Sequence, residues 1–473
     1  MEQNNLTEGS VLKSLISLSV PIVLANILQA AYQMVDTFWV GRLGAEAIAA
    51  VSISFPVIFL LISFGLGLAM AGSILTAQYK GKADQGAINH IAGQTLLMVF
   101  FVSIIISVVG YYFSPGLIKL MGAEESVFLN AVSYLQISFL GIVFMFVYLV
   151  FQSLMRGVGN VKVPMFIVLG TVLLNAVLDP LFIFGYGSFP AMGVPGAALA
   201  TIITQGLSAL VGVLILFFSK KDIHISINKL RFDFPLIKKM FFLGLPSSIE
   251  HSTRSLGMIV MAFLVVSFGT VTMAAYGIGT RMMSLAVIPA IGLSMAASTL
   301  VGQNMGAGKI ERAERTAAIS ALVGFFSLSF LGVFMFVFAE GICSFFIPGE
   351  TETIKSAALF LRFIVFSFGL IGIHQPILGV FRGAGNTISP MVFTVVLLWV
   401  VQFPLAYILS KHTGLAEVGI WIAFPVASFV STILIFLWFV KGSWKEKRIT
   451  EEIRVLERVS EETTIEGGIK GGF

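Results

Sequence analysis

Charge is what this chain has least of. Only 11% of its 473 residues are Asp, Glu, Lys or Arg, against about a quarter in an ordinary soluble domain. With 57% hydrophobic residues and a mean hydropathy of +0.97, a water-soluble globule is excluded. The single cysteine, Cys343, sits among apolar neighbours, so no internal disulfide can form and no paired Cys/His spacing offers a metal centre. No serine nucleophile elbow and no Walker loop is present, which removes the common hydrolases and nucleotide-driven work within the chain. No enzyme and no bound cofactor is expected. The polar start, Glu2-Gln3-Asn4-Asn5, lacks a basic n-region and a small-residue cleavage site, so the first apolar run is expected to stay in the bilayer.

What is present is apolar length. Runs separated by short polar turns fall at about 14–40, 47–78, 90–113, 127–154, 162–186, 194–218, 244–268, 272–303, 316–338, 354–380, 388–410 and 417–440. An all-α polytopic membrane protein with twelve spans follows. A net charge of +5 would suggest nucleic acid in a soluble protein, but here the placement of the charges matters more, and no nucleic-acid partner is expected. Lys80, Lys82, Arg156, Lys162, the Lys220 to Lys239 group, Lys309, Arg312, Arg315, Arg382 and the Lys441 to Arg448 group occupy alternate loops or the tail. The opposite loops hold only Arg42, Lys119, Lys355 and Lys411, so both termini are expected in the cytoplasm of a cell whose inner membrane the chain crosses.

The chain is also duplicated. A shift of 225 or 226 positions lays Pro21 on Pro246, Gly44 on Gly269, Gly67 on Gly292, Gln78 on Gln303, Gly81 on Gly306, and Arg156-Gly157-Val158-Gly159-Asn160 on Arg382-Gly383-Ala384-Gly385-Asn386. An even number of spans per repeat makes the repeats parallel, two six-helix lobes about an axis along the membrane normal with a cleft between them. The expected domains are an N-lobe over 1–218, a cytoplasmic linker over 219–240, a C-lobe over 241–440 and a cytoplasmic tail over 441–473. The linker's Phe232 to Lys239 end is expected to form an interfacial amphipathic turn, and the tail a short surface helix followed by disorder. Gly65, Gly67, Ala71 and Gly72, with Gly292 and Ala296 in the second repeat, are expected to let helices approach closely. The two Arg-Gly-x-Gly-Asn turns have no preceding strand and no following Lys-Ser/Thr, and are read as helix ends rather than nucleotide loops.

Polar residues inside the apolar runs carry the chemistry. Asn26, Gln29, Gln33 and Asp36 form one stripe of the first span. A carboxylate at a lipid-facing helix centre costs roughly 2.5–3.5 kcal/mol, so Asp36 is expected to face inward, be partnered or carry a proton part of the time. Asn175 and Asp179, four apart before Pro180, add a second stripe, and Thr201, Thr204, Gln205 and Ser208 a third. Asp36, Asn175, Asp179 and Thr201 are hard oxygen ligands suited to Na⁺ or to a shared H⁺. Their images in the second repeat, including Met261, Val401 and Leu405, are apolar, so the ion site is expected in the N-lobe alone. The C-lobe brings Glu250, His251, Arg254, Arg281, Arg362, His374, Gln375 and Gln402. Glu250 and Arg254 read first as an i,i+4 ion pair. Asn26, Gln29, Gln33, Thr204, Gln205, Glu250, Arg254 and Met261 are the candidates for lining a substrate cleft.

Val35-Asp36-Thr37-Phe38-Trp39-Val40-Gly41, Gln78-Tyr79-Lys80-Gly81, the paired turns and Asn175 with Asp179 resemble the multidrug and toxic compound extrusion (MATE) transporters across all but the tail. With no acidic residue between Ile354 and Val380, the chain looks more like the DinF-like branch than the NorM branch. The resemblance implies two six-helix bundles in a V, alternating access, and export of small-molecule organic cations or drug-like amphiphiles by antiport with H⁺ or Na⁺, by a monomer in the lipid bilayer. It implies a coupling-ion site at Asp36, Asn175, Asp179 and Thr201. The alternative is a lipid or lipid-linked glycan flippase of the same superfamily, for which Arg254 and Arg281 would supply the cationic cleft.

Overall fold

The computed structural model describes residues 6–186, 190–219 and 221–446. The expected surface helix and disorder of the tail beyond 446 lie outside the described residues, as do the first five residues and Lys220. The helices are α1 (Val11–Gly41), α2 (Ala45–Gly81), α3 (Gln85–Leu120), α4 (Glu125–Gly157), α5 (Lys162–Phe184), α6 (Val194–Phe218), α7 (Phe234–Val266), α8 (Thr270–Gly306), α9 (Ile310–Val337), α10 (Ala339–Phe346), α11 (Thr351–Ile364), α12 (Phe366–Gly383), α13 (Ile388–Val395), α14 (Phe403–Lys411) and α15 (Glu417–Val440). Among the described residues 11 spans are long and apolar enough to cross a membrane, and α11 with α12, bent by 43°, makes a twelfth. The run expected at 354–380 is therefore broken near Val365. The run expected at 388–410 is continuous, but Val396–Gln402 between α13 and α14 is a π-helix, a widened turn often found at functional sites.

Each repeat builds its own bundle. In the first, α4 packs against α2, α3 and α6, and α5 lies between α1 and α6. In the second, α12 packs against α8, α9 and α15. There Trp421 stacks on Phe360, with ring centroids 4.1 Å apart, and on Tyr276. Between bundles α1 meets α8 and α7 meets α2, contacts that are images of each other under the duplication. The small residues serve these crossings: a β-carbon on Gly67 would overlap Ser248 of α7, and one on Gly292 would overlap Val23 of α1.

The two Arg-Gly-x-Gly-Asn turns fold alike. Gly159 and Gly385 take φ of +89° and +87°, a left-handed conformation that lets each helix stop. Asn160 N–H then reaches back to Met155 O at 2.9 Å and Asn386 N–H to Phe381 O at 2.8 Å. Each asparagine's Oδ1 accepts from the backbone three residues on, Val163 N–H and Ser389 N–H, and so starts the next helix.

At the end of the molecule that carries both termini, the lobes are fastened symmetrically. Gln78 Nε2 donates to Gly383 O at 3.0 Å, and its image Gln303 Nε2 donates to Gly157 O at 2.9 Å. A β-carbon at Gly81 would strike the Gln303 carbonyl, and one at Gly306 the Gln78 carbonyl. Leu6 is buried in the same seam with Val161, Leu293 and Leu300, while Arg312 Nη1 and Nη2 donate to Gly9 O and Glu8 O at 2.8 and 2.7 Å. A charge-neutral hydrogen bond contributes about 0.5–1.5 kcal/mol. Gln78→Ala with Gln303→Ala is therefore expected to open this seam several-fold more often, read as faster maleimide labelling of a cysteine placed at Val161, which is 6% exposed.

The linker is shorter than expected, because α7 begins at Phe234. Its first part is strapped to the N-lobe: Ile223 and Ile225 are buried there, Asn160 Nδ2 donates to Asp222 Oδ2 at 2.7 Å, and Gln94 Nε2 holds Arg231 O at 2.7 Å. Asp233 instead caps α7, accepting from Leu236 N–H at 3.0 Å. The start of the tail folds back, with Trp444 fully buried against Phe439 and Lys445 paired to Glu314.

Candidate functional site: a buried oxygen cluster in the N-lobe

Asp36 and Asp179 each lie five residues before the C-terminal end of their helices, Gly41 of α1 and Phe184 of α5. At 1.5 Å per residue that is about 7.5 Å inside the helix end, not at the turn itself. Because α1 and α5 are packed neighbours, both carboxylates turn into the lobe: Asp36 is 9% exposed and Asp179 fully buried. They are close enough to feel each other's charge. Asn175, also fully buried, donates its Nδ2 to Asp179 Oδ1 at 2.8 Å, the bond that four-residue helical spacing allows.

The remaining polar atoms share one character. Asp36 Oδ1, Asn175 Oδ1 and Asp179 Oδ2 are buried acceptors without a hydrogen-bond partner among the described residues. Buried acceptors are normally satisfied, and leaving one unpaired costs about 1–3 kcal/mol, more when it is charged. Three on the neighbouring helices α1 and α5, two of them on carboxylates, suit a small cation or a proton and not an anion. Among the described residues no three His, Cys, Asp or Glu side chains come together, so the donors are hard oxygens of the kind suited to Na⁺ rather than a transition-metal set.

Two tyrosines complete the cluster, and sequence reasoning did not assign either of them to it. Tyr32, one turn before Asp36 on the same face of α1, is 2.9 Å from Thr204 Oγ1 through its hydroxyl and also contacts Thr201. Tyr134 of α4 is buried and shares a cavity with Thr201. The i,i+4 step to Asp36 could have pointed to Tyr32; nothing in the sequence ties Tyr134 to residues about 45–100 positions away. Thr201 and Gln205 of α6 line a cavity of about 90 Å³ with Tyr134, Ser138 and Ile202, between α2, α4 and α6. Thr204 is spent on Tyr32 and on the Ala200 carbonyl, 3.0 Å away.

The remaining predicted residues are divided. Gln29 and Gln33 are exposed on α1 and Asn26 is half-buried, so the stripe splits into an open upper face and the sealed Asp36. Across from α1, Arg281 is exposed on α8, 11 residues from its outer end, where a charged group needs water rather than lipid. Met261 lies in the C-lobe core at 4% exposure, not on an open wall, because it shares the inward face of α7 with Glu250.

The Glu250–Arg254 pair is present, with Arg254 Nη2 3.1 Å from Glu250 Oε1, but it is incomplete as the sequence reads it. Arg382, expected in a cytoplasmic loop, belongs to the last turn of α12 and is 7% exposed. It holds Glu250 by two bonds, Nη2 to Oε1 at 2.5 Å and Nε to Oε2 at 3.3 Å. Its image Arg156 has no carboxylate partner among the described residues, donating to Ser153 Oγ at 2.7 Å and meeting Met295 Sδ across the seam.

A family model described as MatE matches residues 21–181 and 246–408, the two halves of the duplication. Among curated relatives, a "Probable multidrug resistance protein YoeA" of Bacillus subtilis is 32% identical over 95% of this chain and 97% of its own length. A "Probable multidrug resistance protein NorM" of Thermotoga maritima is 28% identical over 94% and 96%, and an "FAD transporter" of Shewanella oneidensis 23% over 91% and 95%. Among solved structures, the "outward-facing conformation of a multidrug resistance MATE family transporter of the MOP superfamily" superposes with a TM-score of 0.88 at 25% identity, over 95% of this chain and 99% of that one.

Proposed function

The chain belongs to the MATE family of transporters, and on that premise we propose that it exports organic cations or drug-like amphiphiles by antiport with H⁺ or Na⁺. The names of its multidrug-resistance relatives support the cargo class. The observation that carries the coupling is the trio of unpartnered buried oxygens on Asp36, Asn175 and Asp179. A cation entering from the outside neutralises two facing carboxylates and so favours a lobe packing that the cargo disfavours. Unequal preference of ion and cargo for two conformations is what exchange requires. In the DinF-like pattern that the sequence resembles, Asp36, Asn175, Asp179 and Thr201 would be the ion ligands. Glu250 is not assigned to coupling, since Arg254 and Arg382 already neutralise it. By the Lys and Arg placement the fastened end is the cytoplasmic one, and the chain acts as a monomer in the cell membrane.

The test is ethidium efflux from proteoliposomes in which the pH and sodium gradients are set separately. Efflux is expected to follow at least one of them; a rate indifferent to both would overturn the antiport reading. A flippase for an anionic lipid headgroup is the second reading, favoured by the exposed Arg281 and the sealed acidic cluster. It predicts headgroup translocation in the same vesicles without either gradient.

A further inference from the structure

The C-lobe holds more positive charge than it uses. Glu250 is fully buried, and Arg382 alone satisfies it, with one guanidinium nitrogen on each carboxylate oxygen. Arg254 adds a second cation to the same carboxylate, well inside the membrane. Its neighbour Ser255 is 3.4 Å from Ser63, which is the middle residue of α2. A charge at that depth is costly on any scale and is normally found where it has work.

Arg254 does not face lipid. Ser247, Glu250 and Met261 share its side of α7 and are buried, whereas Ile249, Leu256 and Phe263 on the opposite side are 42, 47 and 73% exposed. Its own side chain is 31% exposed, so that exposure opens inside the lobe. Both of its protein contacts use one nitrogen: Nη2 donates to Glu250 Oε1 at 3.1 Å and to Thr394 Oγ1 at 3.2 Å. Among the described residues Nε and Nη1 have no partner. His251 Nε2, buried on the next α7 position, has none either. Beyond Thr394 runs the π-helix Val396–Gln402, none of whose residues is buried. The groups facing Arg254 are Glu250 and His251 of α7, Arg382 and His374 of α12, and Thr394 of α13. One carboxylate among them stands against two guanidiniums.

We propose that Arg254 is the anchor of an acid-binding subsite in the C-lobe that takes the carboxylate of an aromatic cargo. A guanidinium edge with two free donors matches a carboxylate in plane and in charge. Trp399 on the π-helix, 38% exposed, follows Leu398, which packs on Gly257 of α7, and offers an aromatic surface. The cargo is then held at two places of opposite character, and molecules carrying both a cationic and an acidic group are preferred over plain cations. The inference rests on the export reading only for what the ligand is, not for whether it binds.

Rhodamine 110 and its methyl ester rhodamine 123 differ only in that carboxylate, so their binding to the purified full chain by fluorescence polarisation is the test. Arg254→Gln is expected to weaken rhodamine 110 roughly 10- to 100-fold, the loss of a charge-assisted contact, and to leave rhodamine 123 within about twofold. Arg254→Lys, which keeps the charge, is expected to recover part of the difference. On the unsubstituted protein, benzoate is expected to displace rhodamine 110 where benzamide does not, a readout independent of any variant's folding. Equal weakening of both dyes by Arg254→Gln, no change in either, or equal competition by benzamide would each overturn the subsite. Intact dye binding with no gradient-driven movement of either dye would instead overturn the export reading and leave the subsite standing.

Discussion

Asp179→Asn is expected to reduce gradient-driven efflux by about 100-fold, and Asp36→Asn to do the same, with both variants folded. The substitution removes one of two negative charges that hold the ion, and a charge-assisted contact contributes roughly 1.5–3 kcal/mol. At 1.4 kcal/mol per decade the upper figure is about two decades. The fold is spared for a local reason. Asp179 Oδ1 accepts from Asn175 Nδ2, and an amide at 179 keeps that acceptor while adding a donor among acceptors that have none. A pair of neighbouring carboxylates also loses its mutual repulsion. The two variants are therefore expected to melt in detergent no lower than the parent while losing ethidium efflux from energised vesicles. Undiminished efflux in both would remove the N-lobe cluster as the coupling site.

How far the sequence leads depends on whether a residue's partner is near it in the chain. Twelve apolar runs, the 225–226-residue repeat and the pairing of Asn175 with Asp179 are all local or periodic signals, and each reappears in the coordinates. Asp36 was legible because an acid in an apolar run has few uses. Tyr134 was not, since a tyrosine in the fourth span looks like any interfacial aromatic until α4 is packed against α6 and shares a cavity with Thr201. Arg382 was misread for the opposite reason. Arg-Gly-x-Gly-Asn looks like a loop, and only the folded C-lobe brings its first residue, at the end of α12, onto Glu250, 132 positions earlier. The break near Val365 and the π-helix after Val395 carry no proline or glycine of their own, so continuous apolar runs conceal them. The linker was legible as a connection but not as a strap, because Ile223 and Ile225 are too few to show which surface they will cover.

Glu250→Gln is expected to destabilise the C-lobe by about 3–5 kcal/mol, the loss incurred when one partner of a buried ion pair is removed and the other is stranded. Glu250 accepts from Arg382 at 2.5 and 3.3 Å, from Arg254 at 3.1 Å and from Thr394 Oγ1 at 3.4 Å, so neutralising it strands the buried guanidinium of Arg382 beside that of Arg254. The expected readout is a fall of several degrees in melting temperature and a lower yield of monodisperse protein. Adding Arg382→Gln is expected to restore part of the loss, because the double variant removes the stranded charge that makes the single one costly; the two changes share a partner and do not add. A coupling carboxylate behaves otherwise. If Glu250 held the exchanged ion, Glu250→Gln would melt like the parent and lose only the dependence of efflux on the gradient, as Asp179→Asn is expected to do. Melting curves and gradient dependence measured on the same two preparations therefore separate a lobe that couples through its buried acid from one that uses that acid to hold two arginines in place.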